Sequence, residues 1–365
     1  MAQESETDVV LVGRDKAPTL AGQMLEVELR KQGYSTRSFF GDGKPINASL
    51  YEIEQTARYA GLVWVGMSSS AELAQPEIVA AHASQHLALY ADIEGCQNRD
   101  WFRAFRQEAK LLFVLTEREK EKASLMYGSG VNIVATGNPT HEEFAFPRLS
   151  RAEARGKLDA ADDETLIIVS GTKSVCITSF LAMSVVEAIH SGYMSPRTYY
   201  VAILPHPGDE SLYAVVKNRQ TEEEKLINPY AEIEQFSGIR ARLVKNNVIS
   251  TPDAVAGADV FVEIGGTEGR RAAYQNIPVI DFFSVVGRNR MQAGNKVDTW
   301  GPCDLGMAIG LYKADIPEFA RTLERVLTPE GRAENSTRQK IACPPLQYRG
   351  AAVQAMVEAM RRYLP

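Results

Sequence analysis

The chain has 365 residues, 45% hydrophobic and 24% charged, which excludes an intrinsically disordered protein and exceeds what one hydrophobic core usually organises. Forty Lys and Arg against 46 Asp and Glu give a net charge of −6, so the basic excess of a nucleic-acid binder is missing and no nucleic-acid partner is expected. Cys96, Cys176, Cys303 and Cys343 form no CxxC pair and suit neither a zinc site nor a disulfide framework, so reduced thiols in a cytoplasmic protein are expected. The polar stretch Met1 to Thr7 carries no secretory signal, and no run of about 18 apolar residues predicts a membrane span. Peripheral membrane contact and a homodimer stay open.

In chain order, the first element is a strand at Asp8 to Gly13, short, aliphatic and uninterrupted, as a strand buried on both faces should be. A helix follows over Thr19 to Gln32, with Gly33 as its stop, and Tyr34 to Phe40 returns as a strand. Strands at Gly61–Gly66, His86–Ala91, Leu111–Leu115 and Val131–Ala135 alternate with helices at Pro76–Ser84 and Glu117–Tyr127. Such alternation predicts a parallel sheet with right-handed crossovers. The pattern breaks at Gly137-Asn138-Pro139-Thr140, and Ser150 with Glu153 has capping-box spacing, so a domain boundary is expected between residues 140 and 150.

The second half repeats the scheme. Strands are expected at Leu166–Ser170, Tyr199–Leu204, Arg242–Lys245, Val260–Ile264 and Pro278–Asp281, and helices at Lys173–His190, Thr267–Gln275, Ile316–Leu327 and Ala351–Tyr363. Thr251-Pro252 reads as an N-cap followed by proline at the first helical position. Ser284 to Leu305, polar and without a clear period, reads as loop. The expected fold class is α/β, two Rossmann-like domains whose parallel sheets face a cleft. Residues 1–145, joined by the terminal helix 347–365, form the first domain, and 146–346 form the second.

Ligands of open parallel sheets bind at the carboxyl ends of strands, so the residues after each strand are the candidates. After Val260–Ile264 come Gly265-Gly266-Thr267-Glu268, two glycines and a hydroxyl opening a helix, with Arg270 and Arg271 close behind, a pattern suited to a phosphate. Gly171-Thr172-Lys173-Ser174 repeats the theme after Leu166–Ser170, without the spacing of a P-loop. His206, one of five histidines, stands between Pro205 and Pro207 in a loop stiff enough to aim an imidazole. In the first half, Gly13-Arg14 follows the opening strand without the GxGxxG of a dinucleotide site, so no nicotinamide or flavin cofactor is expected. Asp92 and Glu94 are candidate general bases, and Ser68 to Ser70 could hydrogen-bond a polar group. No HExxH, DxD or EF-hand spacing occurs, so no metal site is expected, and GxSxG is absent too.

With these residues in view, the chain resembles the two-Rossmann (GT-B) glycosyltransferase and UDP-N-acetylglucosamine 2-epimerase superfamily. The resemblance is carried by Ala256 to Val260, Gly265-Gly266-Thr267 and Pro278-Val279-Ile280, by Thr136-Gly137-Asn138-Pro139 before the linker, and by Arg151–Leu158 with Thr165–Lys173 at the entry to the second domain. It implies that a nucleotide sugar, UDP-linked, binds mainly to the second domain near Gly171, Thr172, His206 and Gly265–Glu268, while the first domain receives an acceptor. It implies a metal-independent transferase in which Asp92 or Glu94 deprotonates the acceptor hydroxyl, and turn amides with His206 and Arg270 stabilise the leaving diphosphate. The epimerases carry tandem acids after their Gly-Gly turn, where this chain has Glu268-Gly269-Arg270-Arg271, and an HRxEN-like segment where it has Gly171-Thr172-Lys173. Epimerase is therefore the second expectation, and a non-catalytic nucleotide-sugar-binding or scaffold protein the third.

Overall fold

The computed structural model describes residues 7–66, 71–92, 100–172, 174–206, 214–217, 224–234, 239–245, 247–265, 268–295, 301–343 and 348–364. The chain divides into two compact units, one of Met1–Glu142, Met291–Val297 and Leu346–Pro365, the other of Glu143–Arg290 and Asp298–Pro345.

Unit 1 runs β1 (Val9–Gly13), α1 (Lys16–Lys31), β2 (Thr36–Phe40), α2 (Leu50–Arg58), β3 (Leu62–Gly66), α3 (Gln75–Ala83), β4 (Leu87–Tyr90), α4 (Asp100–Ala104), β5 (Ala109–Val114), α5 (Glu117–Tyr127) and β6 (Asn132–Ala135), and α6 (Glu142–Ala145) leads out of it. Its six strands are all parallel, in the order β2-β1-β3-β4-β5-β6. Alternation along each strand divides the core between the two faces. Val10, Val12, Val63 and Val65 pack on one side with Ile53, Ala80 and Phe102. Val9, Leu11, Leu62 and Trp64 pack on the other with Leu25 and Leu29 of α1 and with Val353, Met356, Val357 and Met360 near the C-terminus. Glu142 receives hydrogen bonds from the Gly350 and Ala352 N–H groups (2.5 and 2.9 Å), which caps that terminal helix.

Unit 2 continues with α7 (Arg151–Leu158), β7 (Thr165–Ser170), α8 (Val175–His190), β8 (Tyr199–Leu204), β9 (Ala214–Lys217), β10 (Glu224–Ile227), α9 (Pro229–Glu234), β11 (Arg240–Leu243), α10 (Thr251–Val255), β12 (Val260–Glu263), α11 (Glu268–Tyr274), β13 (Val279–Phe282), α12 (Val285–Asn295), which passes into unit 1 at Met291, α13 (Gly301–Asp304), β14 (Ile309–Leu311), α14 (Ile316–Leu327) and α15 (Pro329–Ala342); α16 (Ala351–Met360) is the terminal helix of unit 1. The parallel six-stranded sheet has the order β11-β8-β7-β12-β13-β14, with β9 and β10 as a separate antiparallel pair. Relabelled within the unit, this is the 3-2-1-4-5-6 order of a doubly wound dinucleotide-type sheet. The capping box forms at α7, where Ser150 Oγ accepts from Glu153 N–H and Glu153 Oε2 accepts from Ser150 N–H.

Three local readings are corrected. The segment Ser284 to Leu305 is not loop: it holds α12 and α13, tied by an Arg288–Asp304 ion pair (2.6 Å), with Val286 on the core. Its apolar contribution is too small to leave a helical period. The N-cap of α10 is Ser250 rather than Thr251, because Ser250 Oγ accepts from Asp253 N–H, which leaves Pro252 inside the first turn. The strand expected at Arg242–Lys245 lies two residues earlier, at Arg240–Leu243.

Candidate ligand-binding site

The order of the strands creates a switch point in unit 2. From β7 the chain crosses to β8 on one side and later to β12 on the other, so the helices that follow β7 and β12 leave on opposite faces and open a crevice at the carboxyl end. The turns after β8, β7 and β12 therefore stand on three consecutive strands, spanning about 10 Å at the usual strand spacing.

After β7, the Gly171 N–H donates to the Leu204 carbonyl (2.7 Å). A Cβ at Gly171 would lie 2.5 Å from the His206 nitrogen and 2.6 Å from the Leu204 oxygen, so only glycine lets these two turns touch. The Thr172 N–H donates to Thr178 Oγ1 (2.9 Å), and the Ser174 N–H donates to Thr172 Oγ1 (3.2 Å). The Ser174 side chain makes no capping bond to α8, a helix of 16 residues. His206 is half-buried immediately beyond buried Pro205. After β12, Gly265 takes a left-handed conformation (φ +54°) and donates its N–H to Asp281 Oδ1 (2.9 Å), with the backbone of Gly287 packed against it.

Beyond that bend, half-buried Glu268 accepts from Arg271 Nε (3.2 Å), and the Arg271 guanidinium lies 3.9 Å from the centroid of the Phe144 ring. Arg270 is buried, in electrostatic reach of Glu263. Phe283, at the end of β13, holds a left-handed conformation (φ +65°) that a bulky residue rarely adopts, and leaves part of its ring in solvent. Lys173, Gly266 and Thr267 lie outside the described residues.

Unit 1 has its own switch point between β1 and β3, and Gly13 and Arg14 stand there. The Arg14 N–H donates to Glu77 Oε1 (2.9 Å) on α3, and the Arg14 guanidinium pairs with Asp15 (3.3 Å). Asp92 lies two residues beyond β4 and is buried, with its carbonyl accepting from Asn138 Nδ2 (2.9 Å). Asn138 Oδ1 accepts the Thr140 N–H (2.9 Å), and its Nδ2 lies 3.4 Å from His141 Nε2. The Gly-Asn-Pro-Thr turn thus holds Asp92 in place and brings up His141, which sequence reasoning missed. Glu94 and Ser68 to Ser70 lie outside the described residues. Among the described residues no three His, Cys, Asp or Glu side chains gather as a metal site, and Cys176 and Cys303 are free thiols. No helix among them is long and apolar enough to cross a membrane.

Gly171, Thr172, His206 and Gly265 are therefore assembled along one sheet edge of unit 2, whereas Gly13, Arg14 and Asp92 belong to unit 1. The residues that sequence reasoning missed in unit 2, Glu263 and Asp281, sit within strands, where only tertiary pairing shows that they bond the Gly269 and Gly265 amides.

Each unit carries a Rossmann-like parallel sheet, and in fold the chain resembles GT-B structures. No protein-family model and no curated protein matches the chain. Among solved structures it is similar to the UDP-GlcNAc 2-epimerase of Neisseria meningitidis bound to UDP-GlcNAc, at 11% identity over 97% of this chain and 100% of that one, with a TM-score of 0.57. Staphylococcus aureus MnaA with UDP follows at 14% identity, 97% and 96% coverage and a TM-score of 0.55. Anabaena HepE in complex with UDP gives 12%, 97% and 100% coverage and a TM-score of 0.54.

Proposed function

We propose that the chain is a metal-independent GT-B glycosyltransferase that uses a nucleotide-activated sugar, a UDP-sugar. The observation that carries this reading is the alignment of three ligand-type turns, at Gly171-Thr172, His206 and Gly265, on consecutive strands at the switch point of unit 2. Unit 2 holds the diphosphate: the first amides of α8 face it as fixed partial positive charges, and His206 adds a hydrogen bond that strengthens as the diphosphate departs. Those donors supply the charge stabilisation that DxD-type enzymes take from a divalent ion. Unit 1 holds the acceptor, and Asp92 removes the acceptor proton as the new glycosidic bond forms.

Calorimetric titration tests the site. UDP binding is expected to be weakened about tenfold by His206→Ala, the loss of one hydrogen bond to a charged group. Unchanged affinity would remove His206 from the site. The 2-epimerase reading is supported by the similarity to the Neisseria UDP-GlcNAc 2-epimerase. The two chemistries separate in deuterium oxide: a transferase leaves C2 of the sugar protiated without acceptor, whereas an epimerase exchanges it.

A further inference from the structure

Beneath the bend after β12 lie two carboxyl groups that the proposed chemistry does not use. Glu263 and Asp281 are register partners on adjacent parallel strands, so their side chains leave the same face of the sheet. Both are fully enclosed, at 1% and 0% exposure. Each holds a backbone amide: Asp281 Oδ1 accepts the Gly265 N–H and Glu263 Oε2 accepts the Gly269 N–H, both at 2.9 Å. A Cβ at position 269 would collide with Glu263 Oε1, so the carboxyl fills the space a side chain there would need. Among the described residues Glu263 Oε1 has no hydrogen-bond partner.

We propose that Glu263 and Asp281 are positioning residues that fix the Gly265 and Gly269 amides and carry one proton between them when a diphosphate binds beside Gly265. The physical reason is charge. Two ionised carboxylates side by side in a water-free interior repel each other, and a phosphate above them would add to the repulsion. A proton on Glu263 Oε1 turns an unsatisfied buried acceptor into a donor on the face it shares with Asp281. The other charged and titratable groups around the pair are Arg270 and Glu268 of α11 and Cys303 of α13, whose Sγ lies 3.8 Å from Asp281 Oδ2. Burial and then Asp281 push the Glu263 carboxyl up to about 8, against the opposing pull of the Gly269 N–H and Arg270.

The sign follows. A carboxyl raised above its unfolded value binds a proton in the folded state that the unfolded chain has released, so its stabilising effect is complete below about pH 4.5 and is lost as pH rises towards 8. Glutamine is the isostere of the protonated acid and has no such dependence. The ligand half of the inference rests on the nucleotide-sugar reading; the proton half does not.

The test is urea unfolding of the full chain, and UDP titration, at pH 6 to 9, for the parent, Glu263→Gln and Glu263→Ala. The parent's unfolding constant is expected to rise relative to that of Glu263→Gln by up to about tenfold per pH unit between pH 6 and 8, then level off. Glu263→Gln is expected to bind UDP within about twofold of the parent at pH 6.5 and to keep that affinity at pH 9, where the parent loses about fivefold or more. Glu263→Ala is expected to bind more weakly than Glu263→Gln at every pH. Parallel unfolding profiles for parent and Glu263→Gln would overturn the shared proton, and equal UDP affinity of the Ala and Gln variants would overturn the positioning role. If no form binds UDP, the nucleotide reading fails and the unfolding profiles alone decide the pair.

Discussion

Asp259→Ala will destabilise unit 2 by about 3–5 kcal/mol, the loss expected when one partner of a buried ion pair is removed and the other charge is stranded. Asp259 precedes β12 and is the shared anion of three arginines: Arg151 (2.8 Å), Arg332 (3.1 Å) and Arg155 (3.3 Å). Its Oδ2 also accepts the Leu166 N–H at the start of β7 (2.9 Å). Arg151 and Arg332 are half exposed and could turn to water, but Arg155 is almost fully enclosed. Arg155 also bonds the carbonyls of Gly257, Ala161 and Glu164, and those bonds hold it where it is after Asp259 is gone. Scanning calorimetry should show a melting transition lower by roughly 10 °C for a unit of this size. A shift of less than about 2 °C would mean that water or relaxation compensates Arg155.

The same carboxylate gives a pH signature. Burial alone would raise it, but the Leu166 N–H, Arg151 and Arg332 outweigh burial and hold it below the ordinary carboxylate range. The stability it contributes is present above about pH 4 and is lost as pH falls through its folded value. The advantage of the parent over Asp259→Asn should therefore shrink on acidification below pH 4, a dependence opposite in direction to that expected of Glu263.

Gly171→Ala will have the largest effect on ligand binding, a fall in UDP affinity of about 100-fold with a stability loss of about 1–3 kcal/mol. The added methyl meets the backbone of Leu204, Pro205 and His206 rather than a flexible side chain, so relief requires the β7 and β8 turns to separate. Separation displaces His206 and the first amides of α8 together, and an affinity loss larger than that of His206→Ala is the mark of such coupling. A variant that folds and binds UDP as the parent does would show that these two turns do not form the diphosphate site.

Much of the fold is legible because its cause is local. Uninterrupted aliphatic runs such as Val9 to Val12 and Leu166 to Val169 can only be strands covered on both faces, and such strands are parallel. Some of the helices that escape a sequence reading have polar interiors. In α15, Gln339 is fully buried and donates to the carbonyls of Ile277 and Met307, so the helix is fixed by hydrogen bonds to loops and leaves no apolar stripe. Helices α12 and α13 escape for a similar reason, since an ion pair rather than a hydrophobic face joins them.

The candidate site divides in the same way. Gly171, His206 and Gly265 stand out in the sequence because glycine, proline-flanked histidine and hydroxyl residues at strand ends are local chemistry. Glu263 and Asp281 do not stand out: 18 positions apart, they are two unremarked acids until the pairing of β12 with β13 makes them neighbours. The sequence by itself determined which segments are buried strands and which turns can approach an anion, because periodicity and backbone freedom are properties of adjacent residues. Only the tertiary structure decided the strand order, the switch point beside β7, and which buried carboxyls become neighbours or share an arginine, because these depend on the distances between segments that folding alone brings together.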